Sequence, residues 1–127
     1  MVFAHGSSLA AANEAVESAA RALSRRGGYQ HVRAAFLDPV TPGLGDAVAS
    51  LAAAGVSRVI VIPYFLTSGI HLQRDLRRIV ERLNGIHNVQ IQVSAPLDGH
   101  PALVDILLDR ARQCLSGAGG GDPQNNR

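Results

Sequence analysis

Lysine and tryptophan are missing from this 127-residue chain, and cysteine occurs once, at Cys114. A lone cysteine excludes an internal disulfide and a cysteine-built metal cluster; its plain reading is a buried helix residue. No apolar run approaches the roughly 18 to 20 residues that a membrane span requires. Met1-Val2-Phe3-Ala4 is too short for the apolar core of a secretory signal, so a soluble, cytoplasmic protein with no membrane partner is expected. Three phenylalanines and two tyrosines leave few platforms on which unpaired bases can stack, which argues against nucleic acid as a partner. GxGxxG, GxxxxGK[ST] and GxSxG are all absent, which weighs against a dinucleotide enzyme, a nucleoside triphosphatase and a serine hydrolase.

What is present suits one domain. At this length, 46% hydrophobic and 17% charged residues are enough for a single core and too little for two, and residues 1–115 are expected to form it. The net charge is only +2, but all twelve basic residues are arginine. The planar guanidinium fork pairs carboxylates and phosphates in bidentate fashion, so an arginine cluster suits a polyanionic ligand.

The chain is organised around Val59-Ile60-Val61-Ile62-Pro63-Tyr64-Phe65-Leu66-Thr67-Ser68-Gly69-Ile70-His71. A β-branched run ending at proline predicts a strand buried on both faces, and hence a parallel sheet covered by helices. Leu72, Leu76, Ile79, Val80 and Leu83 then recur at helical spacing, which puts His71 in the first turn of a helix started by Ser68 or Gly69. Unpaired N–H groups and the macrodipole make that end positive, which favours a neutral imidazole whose lone pair can take a metal or a proton.

In chain order, Met1 to Ala4 reads as a short strand followed by His5-Gly6-Ser7-Ser8, where glycine permits a sharp turn and the serines can cap a helix. That helix runs from Leu9 to about Arg26, with Ala12, Val16, Ala19, Ala20 and Leu23 on one face, and stops at Gly27-Gly28. His31 to Leu37 is a second strand, closed by Asp38-Pro39, and Leu44 to Ala54 a second helix. Arg58 to Ile62 is the third strand, and the His71 helix is expected to end at Asn84-Gly85, leaving His87 in a loop. Val89 to Val93 alternates apolar and polar residues as an edge strand does, and Pro101 opens a last helix to about Leu115. Residues 116–127, rich in glycine, are expected to be disordered.

Strand and helix alternate four times, which predicts a three-layer α/β/α sandwich on a four-stranded parallel sheet. Ligands of such sheets gather beyond the carboxyl ends of the strands, and the loops there carry His5, Asp38, His71 and His100. Two histidines with open coordination positions suit Co, Ni, Fe or Zn in transit. Asp38 is either a turn former or a carboxylate that accepts a proton or helps hold a metal. His100 reads most simply as a residue at a helix start, and Arg74 as part of a solvated face paired with Asp75 or Glu81. Arg74 also lies one turn from His71, within reach of an anion bound over that helix.

The residues His5-Gly6-Ser7, Ala35-Phe36-Leu37-Asp38, the block from Pro63 to His71 with Asp75, and Leu97-Asp98-Gly99-His100-Pro101 together resemble the class II chelatases. Among these the chain is similar to the short, CbiX-like sirohydrochlorin chelatases, from Met1 to about Leu115 in matching order and spacing. The resemblance implies insertion of Co2+ or Fe2+ into sirohydrochlorin, on the way to cobalamin or sirohaem. It implies that His5 and His71 bind the metal and accept protons. The family's acidic residue after the second strand is usually glutamate; Asp38 stands there, one methylene shorter, in a supporting role. Ser7, Tyr64, Arg74 and His100 are the candidate substrate contacts. The substrate carries eight carboxylates, which arginines would hold; no redox cofactor or nucleotide is needed beyond the substrate metal. Short members of the family typically act as homodimers. A histidine phosphotransfer site normally needs an arginine beside the histidine, where this chain has Ala4. A non-catalytic tetrapyrrole or metal carrier is the remaining rival.

Overall fold

The structure, a computed structural model, describes residues 1–66 and 69–117. It divides into two compact units, Met1–Pro96 and a second that begins at Leu97. The first unit holds β1 (Val2–Ala4), α1 (Ala10–Gly27), β2 (Ala34–Phe36), α2 (Leu44–Ala53), β3 (Arg58–Pro63), α3 (Ile70–His87) and β4 (Gln90–Val93). Its four strands lie in the order β2-β1-β3-β4, and every pairing is parallel. The expected parallel sheet is present, with β4 at an edge as its alternation implied.

Alternation along the strands sorts side chains to two cores. Phe3, Ala35, Val59, Val61 and Ile91 pack with Leu44, Val48 and Leu51 of α2 and with Leu76, Val80 and Leu83 of α3. On the opposite face Val2, Ala4, Ala34 and Phe36 pack with Val16 and Ala20 of α1. The sheet is therefore the middle of three layers, and burying Phe3 and Phe36 almost completely contributes on the order of 2 to 3 kcal/mol each.

Several boundaries differ from expectation for identifiable reasons. β3 is not buried on both faces: Ile60 is 47% exposed, because on that face α1 packs over β1 and β2. β2 is only Ala34–Phe36, so His31 precedes the strand rather than opening it. α3 runs through Asn84-Gly85 to His87, which places His87 in the last turn rather than in a loop. The left-handed residue that ends it is Asn88, at φ 53°, while the Asn84 side chain is engaged elsewhere, accepting the Ile91 N–H at 2.9 Å. The serines after His5 do not cap α1, whose N-cap is Leu9; the Ser7 hydroxyl instead accepts the Leu9 N–H at 3.0 Å.

Described by itself, the second unit contains α4 (Ala102–Leu115), started by Pro101 as expected. Its Val104, Leu107 and Leu108 are exposed, and so is Cys114, contrary to the expected burial: no residue of this helix is buried. Residues 118–127 of the glycine-rich tail lie outside the described residues, as do Thr67 and Ser68.

Candidate active site

The carboxyl ends of β1, β2 and β3 define the rim of the first unit, and each is fixed by backbone bonds to its neighbour. Tyr64 N–H donates to the Phe3 carbonyl at 2.7 Å, and Leu37 N–H to the Ala4 carbonyl at 3.1 Å. His5 leaves β1 at once, exposed to solvent. Gly6 turns the chain at φ 80°, and a Cβ there would stand 2.8 Å from the Val40 side chain. That contact brings the His5 loop against the loop carrying Asp38, and only glycine combines the positive φ with so close an approach. Ser7 is tied into the turn from both sides: its N–H donates to Asn13 Oδ1 at 2.8 Å and its carbonyl accepts from Asn13 Nδ2 at 2.8 Å.

The register of the sheet decides where the His5 ring points. Phe3 is opposite Pro63, so two residues further on His5 comes level with Phe65. The rings of these two do meet, edge-to-face at 67° with centroids 5.6 Å apart. Phe65 packs against the core on the α3 side, so the His5 imidazole leans toward the face of the sheet that α3 covers. His71 is the second residue of α3, whose N-cap is Gly69, and it too is exposed. Both histidines thus belong to the α3 side of the carboxyl rim, carried by segments that follow the paired strands β1 and β3.

Asp38 lies in the wall of a cavity of about 500 Å³ beside α3, together with Phe3, Leu72, Asp75, Arg78 and Arg82. A second cavity, of about 270 Å³, lies on the other flank of the helix and is lined by Phe65, Gln73, Arg77 and Ser94. Helix α3 therefore presents a guanidinium to each. Arg74, the arginine singled out by its distance from His71, is exposed and lines neither of these cavities. Among the described residues the one ion pair is Arg21–Glu14 on α1, so Arg74 is not paired with Asp75 or Glu81. Among the same residues no three His, Cys, Asp or Glu side chains stand close enough to hold an ion together.

Tyr64 is 41% exposed just past β3. His100 belongs to the second unit, where its Nδ1 accepts the Ala102 N–H at 3.0 Å, the helix-start role that is its simplest reading. Sequence reasoning passed over Phe65, whose contact with His5 is legible only once the β1–β3 register is known. It also singled out Arg74 and not Arg78 or Arg82, although these two share a helical stripe with Asp75 at spacings of three and seven.

Comparison with known proteins bears on the family and the fold. A sirohydrochlorin cobaltochelatase of Methanosarcina barkeri is 28% identical over 123 residues, covering 91% of this chain and 95% of that one. A chloroplastic sirohydrochlorin ferrochelatase of Arabidopsis thaliana is 29% identical over 113 residues, and there the match covers 88% of this chain and 50% of the relative. The crystal structure of a CbiX protein of Marinobacter aquaeolei VT8, described as one of cobalamin biosynthesis, superposes with a TM-score of 0.80 at 29% identity, covering 92% of this chain and 93% of that one. The sequence model of the CbiX family matches residues 1–114, and the chain belongs to that family.

Proposed function

We propose that this protein is a sirohydrochlorin chelatase, inserting Co2+ or Fe2+ into the tetrapyrrole for cobalamin or sirohaem synthesis. The observation that carries the reading is the pair of exposed imidazoles, His5 and His71, on one side of the carboxyl rim of a CbiX-family chain. Insertion removes two pyrrole N–H protons while the cation sheds its waters. Neutral imidazoles serve both needs, as metal ligands and as proton acceptors. Asp38 supports them from the adjoining loop. Ser7, Tyr64 and Arg74 are proposed to contact the macrocycle, whose carboxylates suit the arginines of α3.

The metal in this reaction is a substrate, and no further cofactor enters. We propose a homodimer acting in the cytoplasm; among the described residues no helix is long and apolar enough to cross a membrane.

The test is an anaerobic insertion assay on sirohydrochlorin with Co2+, Fe2+ and Ni2+ in parallel, followed by absorbance. His71→Ala is expected to reduce the rate at least about a hundredfold, the usual scale for loss of a positioned base, with an unchanged circular dichroism spectrum because the residue is exposed. An unaltered rate would overturn the assignment. Binding of metal or tetrapyrrole by the wild-type protein without turnover would identify a carrier instead.

A further inference from the structure

The ring of Phe65 touches two others. On one side it meets Phe3 edge-to-face, with centroids 6.0 Å apart and planes at 81°; on the other it meets His5 at 5.6 Å and 67°. Phe3 is only 1% exposed and sits in the core beneath the rim, so it cannot move without disturbing both β1 and the α3 side. The Tyr64 N–H bond to the Phe3 carbonyl holds the backbone next to Phe65 at the same height. His5, by contrast, has no hydrogen bond among the described residues that would fix its χ angles. An exposed imidazole with no polar tether rotates freely unless a neighbour limits it, and an edge-to-face aromatic contact prefers a narrow set of ring angles.

We propose that Phe65 is the positioning residue for His5: braced on Phe3, its ring holds the imidazole plane in the orientation that metal insertion requires. The inference rests on the chelatase reading, in which His5 must direct a nitrogen lone pair at a cation above the macrocycle. Lone pairs lie in the ring plane, so the tilt of that plane decides whether the nitrogen can reach the metal, and small misplacements of a reacting group cost rate steeply. A leucine at position 65 would fill much the same apolar space against the core but could not dictate the tilt of its neighbour.

The experiment compares wild type, Phe65→Leu, Phe65→Tyr, His5→Ala and the double variant Phe65→Leu/His5→Ala in the sirohydrochlorin insertion assay. Phe65→Leu is expected to lower kcat about tenfold with KM for sirohydrochlorin changed less than about twofold, and Phe65→Tyr to restore kcat, because it keeps the ring. Phe65→Leu should cost nothing further once His5 is alanine, since groups acting through one another are non-additive. An equal loss in both backgrounds would show a merely structural role and overturn the inference. A second readout does not depend on activity. In protein labelled at histidine, the carbon-bound ring protons of His5, assigned with His5→Gln, should shift toward their free-histidine positions in Phe65→Leu. Resonances that stay where they are in wild type would equally overturn it. Absence of insertion by the wild-type protein would count against the chelatase reading, while the histidine spectra would still decide the ring contact.

Discussion

Gly6 is the residue on which the rim has the least latitude. Its φ of 80° is one that L side chains rarely adopt, and Val40 stands where a Cβ would go. Gly6→Ala is expected to destabilise the protein by about 2 to 4 kcal/mol, combining backbone strain with overpacking. Urea denaturation would measure this, and Gly6→Ala/Val40→Gly should recover the steric part alone, because the Val40 Cβ itself stands 2.8 Å from the added methyl; an unchanged midpoint in the single variant would contradict the close approach. Residues of this kind explain how the candidate site was legible. His5, Asp38 and His71 each follow a recognisable strand or begin a recognisable helix, so local pattern places them near the rim. Phe65, Arg78 and Arg82 owe their places to strand register and helix rotation, which depend on the packing of distant segments, and local pattern is silent on both.

At the scale of elements, α3 does most to shape the site: it carries His71 at its start and separates the two cavities below. Its length was underestimated because Asn84-Gly85 has the composition of a helix stop. The asparagine side chain has another use. Gln90 and Ser94 direct their N–H groups to Ser57 and Val61 on the β3 side, which leaves the Ile91 N–H on the open edge of β4, and Asn84 Oδ1 takes it at 2.9 Å. The bond thus ties α3 to the edge strand. Asn84→Ala should cost about 1 kcal/mol, the lost hydrogen bond outweighing the better helix propensity of alanine, whereas Asn84→Asp keeps the acceptor and should cost less. Chemical denaturation of the two variants checks the order. The same element-level logic explains β3, whose apolar run looked like a strand covered on both sides: composition recorded the hydrophobicity of Ile60, not which helix packs over it.

At the scale of the whole molecule, apolar surface remains to be accounted for in each unit. Ile60 is 47% exposed on the sheet of Met1–Pro96, and α4, taken by itself, exposes Val104 at 58% and Leu107 at 67%. Helices and sheets with open apolar faces are usually covered by something, and in the proposed homodimer a second copy of the chain would supply cover. Sedimentation at about 10 µM, a concentration at which an obligate dimer stays associated, should give a mass twice that of the chain; a single-chain mass would remove the dimer from the reading. The order of the four strands and four helices could be read from sequence because strand and helix periodicities alternate cleanly. Burial of Cys114 could not, because periodicity places a residue on a stripe of a helix without saying what that stripe touches.

β1 is an inner strand of only three residues, Val2–Ala4, pairing with β2 on one side and β3 on the other. Side chains on a strand alternate, so a slip of one position would exchange Phe3 with its neighbours and turn His5 toward the α1 layer. Front and back of the molecule, as a bound macrocycle would meet them, are thus told apart by the threading of one very short segment.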